Sequence, residues 1–368
     1  EHLLFKGTKK RTYRDIAIAF DSLGAEFNAF TDKENSCFYA DFIDTHFGRC
    51  LELLFDVITN PSFLIENIKL EKKVILEEIK MVKDNPSDNI FNYFYDTIFS
   101  GHPLSLPILG TRKSLSSLSS NQISSFFADN FNLGGVVLSA AGNIKHKDLV
   151  VKVKQNISKL KEKKFFPKEP ATTQLPRTIN MKKTYKGNTE ATHICYGGLG
   201  CNRRSNDRFG LSLFLNILGG SMSSRLFQKI REEKGLSYTI FASGTHYIDT
   251  GVIAIYAATS PNNVYKVLDL IKNEIYDIKS NRIKKEELEI AKENTKGNIV
   301  LGVEDISSRM FRLGKALLID GKVSSIDEIL KKIDKVKLDD INDIVHKYFQ
   351  TDKMNLVIVG KTSNGRPR

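Results

Sequence analysis

Apolar residues recur every three to four positions between Ile68 and Val82. At 100° per residue, Ile68, Val74, Ile75, Ile79 and Val82 fall on one stripe of a helix. Glu71 and Glu78 fall inside that stripe, about two turns apart. Glu77, Lys73 and Lys80 lie on the opposite face, so the adjacent pair Glu77 and Glu78 divides into one solvent-facing acid and one core-facing acid. An ionised carboxylate in an apolar setting is strongly unfavourable unless something matches it. A Lys or Arg from a neighbouring element and a bound metal both answer that need, and the helix alone does not choose between them.

The same period predicts further helices over 8–20, with Tyr13, Ile16, Ala17 and Phe20 inward, and over 46–59, where Pro61 marks the end. A capping box, Ser119 with Gln122, opens another that runs to Phe131, and Asn85-Pro86 stops the Glu78 helix. Residues 27–44 alternate instead, with Cys37, Tyr39 and Asp41 on one parity and Phe38, Ala40 and Phe42 on the other, which predicts a hairpin. VVLSAAGNI, residues 136–144, reads as a buried strand, 191–200 as a strand and 209–220 as a helix. The stretch 101–111, GHPLSLPILGT, has two prolines and two glycines and reads as a loop. His102 within it is assigned a structural role and not a ligand's.

The plan repeats. LSSNQISSFFADNF followed by VVLSAAGNI matches VKLDDINDIVHKYF followed by MNLVIVGK, and Leu118 to Gly142 spans the same 24 positions as Val336 to Gly360. An internal duplication accounts for this. Between the copies, Pro167, Pro170 and Pro176 stand among Thr and Lys in linker composition. The expected division is a domain at 1–164, a linker at 165–182, a second domain at 183–361 and a polar tail at 362–368. No apolar run approaches the ~20 residues of a membrane-spanning helix.

Composition alters this picture little. Of 368 residues, 41% are apolar and 27% charged, as in globular domains. The net charge of +12 invites a nucleic-acid reading, but Lys and Arg are interspersed with acids, as in EKKVILEEIK, and fit a solvated helix surface instead. Cys37, Cys50, Cys195 and Cys201 show no C-x-x-C spacing and read as reduced, mostly buried thiols in an intracellular setting. The compartment stays open, with the cytoplasm favoured.

The opening EHLLFKGT resembles the end of the inverted zinc motif H-x-x-E-H of the pitrilysin/insulinase family of zinc peptidases, and EKKVILEE, residues 71–78, resembles that family's downstream E-x-x-V-I-x-x-E. His2 and Glu78 stand 76 positions apart, the family's spacing. The resemblance implies Glu1 as general base, His2 and Glu78 as zinc ligands, and Glu71 as a supporting catalytic carboxylate. The first His of the motif would stand three residues before Glu1, so the chain is expected to be a fragment that begins inside its own motif. In the family the strand equivalent to Glu26–Thr31 lies beside the zinc, and its Asn-Ala dipeptide, here Asn28-Ala29, receives the substrate backbone by strand addition. SSRLFQKIREEKGLSY, residues 223–238, resembles a second fingerprint, in which an Arg and a Tyr, here Arg231 and Tyr238, reach toward substrate.

The resemblance therefore implies an α+β fold of two duplicated domains, each a mainly antiparallel sheet covered by helices, with Zn²⁺ in the first domain and no zinc motif in the second. The activity implied is that of a zinc metalloendopeptidase similar to the mitochondrial processing peptidase branch. It would act on extended peptides or presequence-like segments, and a homodimer or a pairing with a related subunit is implied. Two rivals are a non-catalytic scaffold or partner subunit of the same fold, and a basic nucleic-acid-binding protein.

Overall fold

The computed structural model describes residues 1–131, 133–158, 176, 180–187 and 189–362, so most of the linker expected at 165–182 and nearly all of the tail lie outside the described residues. The chain opens with a 3-10 turn, His2–Lys6, then α1 Tyr13–Asp21, β1 Glu26–Thr31, β2 Ser36–Asp41, α2 Phe47–Thr59, α3 Ile65–Asp84, α4 Pro86–Ile98, α5 Arg112–Ser117, α6 Ser120–Asn130 and α7 His146–Ile157. There follow β3 Lys182–Tyr185, β4 Thr192–Gly200, α8 Asp207–Leu215, β5 Ser237–His246, β6 Gly251–Thr259, α9 Val264–Asn281 and α10 Lys285–Gly302. The chain continues with α11 Ile306–Lys315, α12 Ile326–Asp334, α13 Leu338–Tyr348 and β7 Asn355–Val359. The class is α+β, with mostly antiparallel strand pairs, as expected. No described helix is long and apolar enough to cross a membrane.

Packing divides the chain into two compact units. One joins Glu1–Lys80, Ile108–Ala171 and Val303–Val323; the other joins Met81–Pro107, Thr172–Gly302 and Ser324–Arg368. In the first unit, Leu4 of the opening turn, Ile16 and Phe20 of α1, Ala40 of β2, and Cys50, Leu53 and Val57 of α2 share one core. β1 and β2 form the expected hairpin, with Asn28 opposite Tyr39 and Thr31 opposite Ser36. α11 lies on one face of this hairpin: Phe311 meets Phe30 and Tyr39 edge-on at 5.4 and 5.0 Å, Lys315 pairs with Asp32 at 2.9 Å, and Ser307 donates to Asp41 at 2.9 Å.

In the second unit the sheet order is β3-β7-β4-β6-β5. Both faces are covered, and the strands show it by strict alternation. Ile194, Ile253, Ile255, Leu356 and Ile358 face α8, α9 and α13, whereas Cys195, Val252, Ala254, Val357 and Val359 face α4. Strands buried on two sides must be apolar at nearly every position, as β4 is from Ile194 to Leu199 and β7 from Leu356 to Val359. Gly197 permits the approach of β6: a Cβ there would lie 1.9 Å from the Ile253 carbonyl oxygen.

Four local expectations are corrected. Helix α1 begins at Tyr13 and not near Thr8, because Thr12 caps it reciprocally with Asp15 while Gly7 and Thr8 make isolated bridges to Thr12 and Pro61. Tyr13, expected inward, is 62% exposed. Val74 is 40% exposed, since it lies 100° around the helix from Ile75 and outside the line through Ile68, Glu71 and Ile79 that is buried. Residues 136–144 form no ladder among the described residues. A strand needs a neighbour for its amides, and this stretch instead runs irregularly past α11, with the Ser139 hydroxyl donating to the Met310 carbonyl at 2.9 Å.

Candidate active site

The site is assembled where the opening turn meets α3. Leu4, only 2% exposed, seats the turn in the first core, and Phe5 stacks on Phe27 of β1 at 4.6 Å. The Asn67 side-chain amide of α3 holds the Lys6 carbonyl at 2.9 Å. These contacts bring His2 over the face of α3 that carries Glu71 and Glu78.

Glu71 is 3% exposed. One carboxylate oxygen, Oε2, lies 3.0 Å from His2 Nδ1; the other, Oε1, lies 2.8 Å from Lys6 Nζ as an ion pair outside hydrogen-bond geometry. The choice left open by helix periodicity is thus resolved for Glu71, whose charge is matched by a lysine and by the imidazole. Glu78 sits at the rim of the stripe, its side chain 36% exposed, with Oε2 3.7 Å from His2 Nε2. Glu77 is on the far face and pairs with Lys80 at 2.6 Å, as the helical phase requires.

The carboxylate on Nδ1 holds that edge of the ring, and Nε2 is turned toward the Glu78 carboxylate. Two ligands of a tetrahedral zinc, each about 2.1 Å from the metal, stand about 3.4 Å apart. His2 and Glu78 therefore fit two positions of such an ion, with Glu71 orienting the histidine. Among the described residues, no group of three His, Cys, Asp or Glu is placed to hold a metal.

Glu1 immediately precedes His2 in the chain. Its carboxylate accepts a hydrogen bond from the Thr31 hydroxyl at the end of β1, and Thr31 lies 3.1 Å from the Ser36 hydroxyl. Asn28 and Ala29 are on the same strand. The bond from the Asp32 amide to the Asn35 carbonyl, 2.8 Å, places even-numbered residues of β1 in the hydrogen-bonded rungs, so the Ala29 amide points away from β2. It is met there by Asn28 Oδ1 at 2.8 Å.

Arg231 and Tyr238 come together in the second unit. The guanidinium lies 5.7 Å from the Tyr238 ring centroid and 4.6 Å from that of Phe227, and Tyr238 is 84% exposed. His102, buried in the second unit, spends both ring nitrogens on local structure: Nδ1 accepts from the Leu104 amide, and Nε2 lies 3.2 Å from Asp249 Oδ2. The sequence motifs assign no role to Lys6 or Thr31. The signal for Lys6 was the inward Glu71, which called for a cation. No local pattern marks Thr31.

Residues 1–112 match the family described as Insulinase (Peptidase family M16), and residues 117–295 match Peptidase M16 inactive domain. The chain belongs to this insulinase family of M16 peptidases. It is 35% identical over 364 residues to "Uncharacterized zinc protease YmxG" of Bacillus subtilis (strain 168), covering 99% of this chain and 88% of that one. Uncharacterized zinc proteases of Mycobacterium leprae (strain TN) and Rickettsia bellii (strain RML369-C) are 34% and 33% identical, covering 94% and 97% of this chain and 78% and 86% of theirs. In fold it is similar to a peptidase M16 inactive domain from Pseudomonas fluorescens, with a TM-score of 0.85 at 21% identity over 99% of this chain and 87% of that one. A protease from Helicobacter pylori aligns with a TM-score of 0.89 at 17% identity over 98% of this chain and 87% of that one.

Proposed function

We propose that the chain serves as a zinc metalloendopeptidase acting on extended peptides or presequence-like segments, paired with a second copy or a related subunit. The observation that carries this reading is the histidine of the opening turn, with Nδ1 tied to a buried carboxylate and Nε2 turned to a second one on the same helix. His2 and Glu78 would hold the ion. When bound, zinc supplies Lewis acidity at the scissile carbonyl and lowers the pKa of water. Glu71 fixes the ring and tautomer of His2, and Lys6 matches the charge of Glu71. Glu1, free of any metal bond, accepts the proton of the attacking water. An extended peptide adds to the open edge of β1, where the Ala29 amide exchanges Asn28 Oδ1 for a substrate carbonyl. Arg231 and Tyr238 supply donors to substrate carbonyls.

The test compares Glu1→Gln with His2→Ala in the full-length protein. Metal content and hydrolysis of a quenched fluorescent peptide are read together. Glu1→Gln retains zinc and loses about 10²-fold or more in turnover, whereas His2→Ala loses both. Equal zinc loss in the two variants would overturn the separate roles. Full zinc occupancy with no turnover in the unsubstituted protein would favour the scaffold reading.

A further inference from the structure

We propose that Thr31 is a positioning residue for the Glu1 carboxylate, itself held by Ser36, so that the closing rung of the β1–β2 hairpin sets the direction of the proton acceptor. The proposal rests on the peptidase reading above. Thr31 shares a strand face with Phe27 and Ala29, and Phe27 stacks on Phe5 and Phe20 at 4.6 Å each. The opening turn is thereby fastened to β1 at two points, Phe5 on Phe27 and Glu1 on Thr31. Only the second acts on a group proposed to move a proton.

The hydrogen-bond donors can be assigned. An ionised carboxylate only accepts, so the single Thr31 hydroxyl proton goes to Glu1 Oε2. The 3.1 Å contact between Thr31 Oγ1 and Ser36 Oγ must then be donated by Ser36. The register that pairs Thr31 with Ser36 brings the two hydroxyls together, and the branched Cβ of Thr31 restricts its rotamer. One oxygen of Glu1 is committed to this chain of donors. Both hydrogen bonds are exposed, so their removal leaves the fold intact and its effect falls on catalysis.

The experiment places Thr31→Val, Thr31→Ser and Ser36→Ala beside Glu1→Gln in the complete zinc-loaded protein. It measures kcat and KM on a peptide, zinc content, Tm, and the Glu1 rotamer in crystals of Thr31→Val. The expected result for Thr31→Val is a kcat lower by about tenfold to a hundredfold with KM, zinc content and Tm unchanged, and a Glu1 carboxylate spread over more than one rotamer. Thr31→Ser restores most of the rate, and Ser36→Ala loses a few-fold. An unchanged kcat in Thr31→Val, or a raised KM with kcat unchanged, overturns the proposal while Glu1→Gln is inactive. Full activity in Glu1→Gln overturns the peptidase reading instead.

Discussion

Replacing Glu71 by Gln keeps the shape of a side chain that is 3% exposed and removes its charge. In the native site one oxygen faces the Lys6 ammonium at 2.8 Å and the other faces His2 Nδ1 at 3.0 Å. Lys6 donates, His2 can donate, and a glutamine has one acceptor oxygen, so its amide nitrogen opposes one of these groups where the carboxylate faced both. A bond to a charged group contributes about 1.5–3 kcal/mol. Because the side chains of Lys6 and His2 are 31% and 29% exposed, water recovers part of this, and a net loss of about 1–2 kcal/mol is expected. Zinc affinity should fall about tenfold to a hundredfold, the usual range when a carboxylate behind a metal-ligating histidine is lost. Urea unfolding of the metal-free protein measures the first effect, and competition with a chromophoric chelator measures the second. Adding Lys6→Met removes one of the two opposed donors, so the double variant should recover stability relative to Glu71→Gln, a coupling that a double-mutant cycle isolates. A Glu71→Gln protein as stable as the parent, with unaltered zinc affinity, would refute the role assigned to this carboxylate.

On α3, Glu78→Gln should weaken zinc binding markedly, while Glu77→Gln, on the opposite face and paired with Lys80, should change neither metal content nor turnover; equal behaviour in a metal assay would show the helical phase to be misassigned. Gly197→Ala would drive a Cβ to 1.9 Å from the Ile253 carbonyl, so β4 and β6 must separate at a loss of about 3 kcal/mol or more, and an unshifted Tm would contradict the close approach. Asp207 is held below the usual carboxylate range by hydrogen bonds from Lys347 first and then Tyr348, each 2.7 Å. Its folded-state pKa being depressed, it contributes stability above its unfolded-state value of about 3.9, and that contribution is lost as pH falls through the lower folded-state value. The urea midpoint of the parent should therefore exceed that of Asp207→Asn near neutral pH and converge with it in acid; a constant gap would sink this account.

Helix α3, with Glu71 and Glu77 on opposite faces, was legible in the sequence, because a 3.6-residue period is a property of neighbouring positions. So were the capping box of Ser119 and Gln122 and the alternating hairpin of β1 and β2, each written within a few residues. The two acids of α3 could be marked as needing a partner, since burial of charge demands one. Which partner each took was decided only in three dimensions: Lys6 and His2 for Glu71, and His2 for Glu78, are meetings across 65, 69 and 76 positions of chain. Tertiary structure alone also decided that α4 covers one face of the second sheet, and that α11 lies on the first hairpin. An amphipathic helix specifies that it must bury a face, not which sheet will accept it. The apolar run at 136–144 teaches the same lesson in reverse, because β-propensity records fit to a neighbour and no local pattern supplies one. Local chemistry fixed the elements and marked the inward carboxylates; long-range packing fixed their distances, because those depend on surfaces that meet only after the chain has folded.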